Sequence, residues 1–394
     1  MTAAVTGGDL HRLRRLNALS VIAALREHGP ASLTQMAERA ERARATVKDV
    51  VRELIEQGWV AEMEPAGGVK GRPARRFRFR AERGRVLGLD VGAHKVLAAL
   101  ADLDGTVLHL AREAVTPAMS RDERLAAVDR TVAACLAASG SAPEQVWAAV
   151  AGSTGYVDLD GEIVISRAIE DWAGVPLAAH LGGLLPCPVL VENDSRLAAL
   201  AECRRGAARD ARDVVFLHLG RRAGAAVVLD GVPLRGGGGA AGEIGFHPLF
   251  RLGASSEVLC PPGEQAAGDV GAVFEAARRG EPSAKGAVLR YVKVVGLAAA
   301  AMALTVDPDL VVLGGGFSRS ADVLLPPLRA ELEAMCLRTP EVRASTLGDE
   351  CVAVGAVCHA VEHLNGLLFN PETGPITVNS TRMLAAIERD HRLP

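Results

Sequence analysis

A set of side chains ahead of residue 80 has the types and spacing to read a nucleic-acid groove. Val47, Val50, Val51, Leu54 and Ile55 recur at helical spacing, so a helix there buries them and turns Arg44, Ala45, Lys48, Asp49 and Arg52 outward. Arginine and lysine on such a helix reach guanine edges or phosphates in the major groove, and Arg44, Thr46, Lys48 and Arg52 are its DNA-facing candidates. The later segment Lys70-Gly71-Arg72-Pro73-Ala74-Arg75-Arg76 is denser in charge. Its glycine lets the backbone approach closely and its proline stiffens it. Arg72 then has the reach to enter a narrow minor groove while Lys70 and Arg75 hold phosphates. The plainer alternative is a solvated face of a protein-interaction module. Helix charges and wing charges at this separation favour DNA.

A second set lies further along. Asp194 follows the apolar run Val189–Val191. From there a carboxylate either takes a proton from a substrate hydroxyl or caps the helix that Ser195–Glu202 spells out. Gly314-Gly315-Gly316 either lets backbone approach a ligand or packs a strand end against a helix. The seven cysteines are scattered, odd in number and without a CxxC pair, which argues against a disulfide framework or a cysteine-rich zinc site.

The elements that must position these groups follow from the patterning. The chain has 394 residues, 49% of them hydrophobic and 23% charged, enough apolar surface for two or three domains and too much for a disordered chain. The net charge of −3 hides an asymmetry: residues 1–85 carry 17 Lys+Arg against 10 Asp+Glu, a basic head on an acidic body. Within the head, Leu10–His28 reads as a helix stopped by Gly29-Pro30, and Ser32 caps a second helix. The third helix ends at Gly58, and a two-stranded hairpin follows, Trp59–Ala61 with Arg76–Arg80. That order is a winged helix-turn-helix. Beyond Arg85 two strand meanders recur: Leu89-Asp90-Val91-Gly92 matches Leu217-His218-Leu219-Gly220, and Asp104-Gly105 matches Asp230-Gly231 at nearly the same offset. Two related sheet-and-helix halves with a cleft between them are expected, with ligands at the strand ends. The longest apolar run, Val294–Leu304, is too short to span a bilayer. A cytoplasmic protein without a membrane partner is expected.

In that frame the sequence resembles the ROK family of repressors and sugar kinases, which has an actin-like fold. The resemblance runs from about Leu10 to Leu364. It rests on Gly71-Arg72-Pro73, Leu89-Asp90-Val91-Gly92, Val191-Glu192-Asn193-Asp194, Gly238–Gly245, Leu313-Gly314-Gly315-Gly316 and Leu347–Glu350 leading into Val354-Gly355-Ala356, in that order. The resemblance implies an α/β fold: a winged helix-turn-helix at 1–82, a two-lobed actin-like body at 83–206 and 207–365, and an extension at 366–394. It places Asp194 at the base position of the kinases and Asn193 at a sugar-contacting position. Asn193, Asp194, Glu243 and His247 become the candidate effector-binding residues.

Departures from the family pattern argue against phosphoryl transfer. The first phosphate turn, Asp-x-Gly-Gly-Thr-Lys in the family, is Asp90-Val91-Gly92-Ala93-His94-Lys95, and the second, Gly-Thr-Gly, is Gly220-Arg221-Arg222. Phe246 stands at the histidine position that contacts sugar and zinc, with His247 displaced by one. Cys260 alone remains of the cysteine cluster, and Ala168 replaces a sugar-contacting asparagine. No zinc and no cofactor are expected, with Asp194 a vestigial base. The function expected is a sequence-specific regulator, a repressor, binding a double-stranded operator as a homodimer or homotetramer, with a sugar or sugar-derivative effector. An active hexose kinase with an accessory head, and a ligand-independent DNA-binding protein, are the alternatives.

Overall fold

Gly29, at φ 72°, ends α1 (Gly8–His28) and leads through Pro30 into β1 (Ala31–Ser32). Ser32 also caps α2 (Leu33–Arg39): its hydroxyl accepts the Gln35 N–H while the Gln35 side chain accepts the Ser32 N–H, fixing where the helix begins. A turn with Glu41 at φ 53° leads to α3 (Arg44–Glu56), which buries Val47, Val50, Val51 and Leu54. After Gly58 come β2 (Val60–Glu62) and β3 (Arg76–Phe79). The expected hairpin forms, with β2 antiparallel to β3, and β1 adds a third strand that pairs antiparallel with β3 to give the order β1-β3-β2. A two-residue strand is too short to leave an alternation in the sequence. The computed structural model describes residues 8–64, 75–250, 252, 255–259, 270–370, 372, 374–375 and 377–378.

The first half of the body contains β4 (Arg85–Val91), β5 (Lys95–Asp102), β6 (Val107–Ala114), α4 (Arg121–Ser139) and β7 (Val146–Ser153). A small hairpin, β8 (Tyr156–Val157) with β9 (Ile163–Ile165), precedes α5 (Leu177–Gly182), β10 (Val189–Asn193) and α6 (Asp194–Arg205). The second half runs β11 (Val214–Leu219), β12 (Ala223–Leu229), β13 (Val232–Pro233), α7 (Ser255–Leu259), α8 (Val270–Arg278) and α9 (Pro282–Val306). It ends with β14 (Leu310–Gly314), α10 (Ala321–Met335), β15 (Glu341–Ala344) and α11 (Cys351–Leu368). The sheets are ordered β10-β7-β4-β5-β6 and β13-β12-β11-β14-β15. Each pairs an antiparallel meander with two parallel strands added on the side of its first strand. The internal repeat therefore extends to the whole sheet, with β4 equivalent to β11.

The last helix departs from the expected lobe boundary at 365. α11 continues through that position to Leu368 and packs on α6, β4 and β7 of the first half, so its buried face joins the first core. Glycine makes the approach possible: a Cβ on Gly355 would run into the Leu197 carbonyl, and one on Gly88 into the Ala353 carbonyl. Head side chains from Ala18 to Phe79 belong to the same continuous core, whereas the second half has a core of its own around Val215, Tyr291 and Leu328. Two segments, Pro282–Val306 and Gly348–Leu368, have the length and composition of membrane spans. Buried fractions of 61% and 56% show what covers them: they are core helices of the two halves.

Candidate functional site

The parallel strands of both halves point their carboxyl ends at one cleft of about 900 Å³. On its floor, Asn193 ends β10 and caps α6: its Oδ1 accepts the Arg196 N–H at 3.0 Å, and its amide donates to the Gly155 carbonyl at 2.8 Å and to Glu243 Oε1 at 3.3 Å. The choice between base and cap at Asp194 is thereby resolved in part. The cap is Asn193, and Asp194 is the first helical residue, lining the cleft with Ser195. The Ser195 hydroxyl donates to Asp194 Oδ1 at 3.1 Å and lies 3.2 Å from His218 Nδ1. Glu243 faces the same floor. Burial, then the like charge of Asp194, push its carboxyl up to about 7 against the pull of Arg196.

Toward the two hairpin turns the cleft is occupied by its own charges. Lys95 Nζ lies 3.1 Å from Asp90 and 2.8 Å from Asp349, and Arg112 holds the other Asp349 oxygen at 2.7 Å. Burial raises the Asp90 carboxyl above its ordinary value even against Lys95. Burial works on Asp349 in the same direction, but Lys95 and Arg112 keep it below its usual range. Gly220, Arg221 and Arg222 form the facing turn, closed by the Gly220 N–H to the Arg222 carbonyl at 3.1 Å. His94, opposite, is held below its ordinary value by desolvation, then by Arg221 and Arg124. Gly315, at φ 77°, packs against Leu219 and His218, where a side chain would collide.

At the other end Ala168 lines the wall, and the Arg167 guanidinium sits over the Phe246 ring, 4.2 Å from its centroid. His247 stands apart from the other three candidate effector-binding residues. The chain turns so that Phe246, not His247, lines the cleft; His247 is exposed, and its Nδ1 accepts the Leu249 N–H at 3.2 Å. The described residues do not assemble a zinc site. Phe246 offers no donor, and among the described residues no three His, Cys, Asp or Glu side chains converge to hold one; Cys260 lies outside them. Of the other six cysteines, Cys135, Cys187, Cys203, Cys351 and Cys358 are buried, and burial pushes the Cys187 and Cys351 thiols up to about 12.

Some groups that shape the cleft left no readable mark. Arg196 is 2% exposed; it pairs with Glu192 at 2.6 Å and donates to the carbonyls of Val157, at 2.9 Å, and Gly239. Arg235 reaches Glu192 from the second half at 3.0 Å. Tyr156 donates to the Gly238 carbonyl at 2.6 Å. These bonds stitch the β8–β9 hairpin to the glycine-rich loop ahead of Glu243. In sequence, Arg196 looks like any exposed first-turn arginine.

On the head, Arg44, Lys48 and Arg52 are exposed along α3 and Thr46 is half-buried. Arg52 pairs with Asp49 at 3.1 Å. Arg75 is engaged as a fork with Glu62 at the base of the wing; Lys70 and Arg72 lie outside the described residues.

Comparison with known proteins bears on both parts. The ROK family profile matches residues 86–267 and 262–362, and the IclR helix-turn-helix domain matches 16–63. The bifunctional enzyme NanE/NanK of Brucella melitensis is 34% identical over 284 residues, 68% of this chain and 52% of that protein, so the chain spans about half the length of that curated relative. The DNA-binding transcriptional repressor Mlc of Escherichia coli is 25% identical over 368 residues, covering 86% of this chain and 90% of Mlc. The crystal structure of a ROK family transcriptional regulator, described as a homologue of the E. coli protein, shares the fold with a TM-score of 0.70 at 20% identity, over 96% of this chain and 100% of that one. The chain belongs to the ROK family, with a helix-turn-helix head joined to a sugar-kinase-like, actin-fold body.

Proposed function

We propose that the protein is a sequence-specific DNA-binding repressor whose body senses a ligand and assembles the oligomer without transferring phosphate. The observation that carries this is α3: a buried valine face holds Arg44, Lys48 and Arg52 on the outside of a three-helix head of the kind that enters the major groove. Full-length similarity to a transcriptional repressor supports it. Arg44, Thr46, Lys48 and Arg52 read bases and neighbouring phosphates, while Lys70, Arg72 and Arg75 follow the backbone. In the body, Asn193, Asp194 and Glu243 form the ligand floor, and a sugar or sugar derivative is the ligand class that such a floor of acceptors and donors fits. A homodimer or homotetramer then presents paired heads to a palindromic site.

The absence of phosphoryl transfer rests on the turns. Lys95 is held between two carboxylates, and arginine side chains replace small hydroxyl residues at the second turn. A second reading, an active hexose kinase with an accessory head, is favoured by Asp194 alone, which lines the cleft with its position in the helix uncommitted to capping. Coupled assays with ATP and a hexose panel decide between them. No turnover above the Asp194→Asn variant is expected; turnover that this substitution abolishes would establish the kinase.

A further inference from the structure

We infer that Arg26 is a positioning residue for DNA reading and that α11 is the rod through which it follows the state of the cleft; the inference rests on the DNA-binding reading above. Arg26 lies in the last turn of α1, the helix that packs against α3. Its guanidinium makes three bonds to the body: Nε to Asp104 Oδ1 at 2.7 Å, Nη2 to the Leu103 carbonyl at 2.6 Å, and Nη1 to Asn365 Oδ1 at 2.7 Å. Leu103 and Asp104 form the β5–β6 turn, and Asn365 is in the final turn of α11. A planar fork satisfies three partners on two elements at once, which an ammonium on a flexible stem does not. The same guanidinium lies over Phe79, 5.1 Å from its centroid. Beside it, Trp59 of the head is fully buried, with Phe369 edge-on at 4.7 Å and Trp147 at 6.4 Å. The head is seated on the carboxyl end of α11.

The other end of α11 is a wall of the cleft. Cys351 and Val352 line it, and Asp349, just ahead, is clamped by Lys95 and Arg112. Between its ends the helix is packed too closely on α6 to move without it, because Gly355 is pressed on the Leu197 carbonyl of that helix, which also supplies Asp194 to the floor. Its 18 residues span about 27 Å at 1.5 Å per residue. A group that competes for Lys95 or Arg112 releases Asp349 and shifts the near end of α11. The packed interior transmits that shift, and Arg26 with Trp59 converts it into a new angle for α1 and α3.

Substitutions this far apart add unless a mechanical link couples them. The test is a double-mutant cycle in the full-length protein between Asp349→Asn and Arg26→Met, read as affinity for a duplex selected in vitro from a random library. The inference expects Asp349→Asn to change affinity in the wild-type background and that change to shrink by about fivefold or more beside Arg26→Met, with Arg26→Lys behaving like Met. Additivity within about twofold overturns it. Hydrogen exchange on the same proteins is the second measurement. Asp349→Asn should alter exchange in α1 and α3 when Arg26 is present, and only around the β4–β5 turn when it is not. Head amides indifferent to Asp349→Asn overturn the inference even where duplex affinity falls. A wild type that ignores every duplex refutes the reading of the head itself, a failure that the exchange data separate from a failure of coupling.

Discussion

Replacing Arg196 by methionine isolates what holds the cleft together. Methionine keeps much of the volume but removes a cation that is 2% exposed, leaving Glu192, 6% exposed, with Arg235 as its remaining cationic partner at 3.0 Å. Breaking a buried pair from one side costs about 3–5 kcal/mol, and the surviving Arg235 contact puts this case near 3. The Val157 and Gly239 carbonyls also lose their donor, adding roughly 1 kcal/mol between them, for a total of about 4 kcal/mol. Most of that penalty comes from the orphaned charge. The double variant Glu192→Gln/Arg196→Met should therefore be more stable than Arg196→Met alone, with a residual loss of about 2 kcal/mol. Urea unfolding followed by Trp172, which is fully buried in the same half, reads the midpoint at constant slope. A loss below about 1 kcal/mol in the single variant, or a double variant less stable than the single, would show that the network is not what joins the two sides.

Other consequences are equally open to measurement. Glu243 keeps its proton in the folded state up to about 7, whereas the unfolded chain releases it near the ordinary 4.5, so stability should fall as pH rises through that window. The effect is at most about 3.5 kcal/mol at about 1.4 kcal/mol per pH unit, and a Glu243→Gln variant with an unchanged pH slope would contradict it. Gly355→Ala should destabilise by about 3 kcal/mol or more, because its methyl meets the Leu197 backbone and not a movable side chain; a thermal midpoint equal to the wild type would refute the packing argument. Arg44→Ala and Lys48→Ala should each reduce discrimination between selected and scrambled duplexes by about tenfold, while Arg72→Ala lowers the salt dependence by about one ion. Arg75→Ala, whose guanidinium is already paired with Glu62, should lower it less than Arg72→Ala does; titrations at two salt concentrations compare them.

Much of the architecture was legible because it repeats or punctuates. The match of Leu89–Gly92 with Leu217–Gly220 exposed the duplicated sheets, and Gly29-Pro30, Ser32 and Gly58 marked the helices of the head. What stayed hidden depends on contacts between residues far apart in the chain. Nothing local tells that α11 returns to the first half, since its apolar face would suit either core. Lys95 and Asp349 are separated by most of the body, and their pairing follows only once that helix is placed. Arg196 carries no sign of burial, because its partners are a carboxylate four residues back and two carbonyls far away in the chain, one in β8 and one in the glycine-rich loop. His247 stands outside the cleft lining for a local reason: it follows the tight turn that ends at Phe246, and one residue further on the side chain no longer shares the direction of Phe246.

The most direct test is an equilibrium titration of the purified full-length protein with its own selected duplex and with a scrambled one, at 50 and 200 mM salt. A groove-reading head predicts a preference of about 10³ or more for the selected sequence, with the affinity for both falling steeply as salt rises. Equal affinity for the two duplexes, or no binding to either at the lower salt, would contradict it.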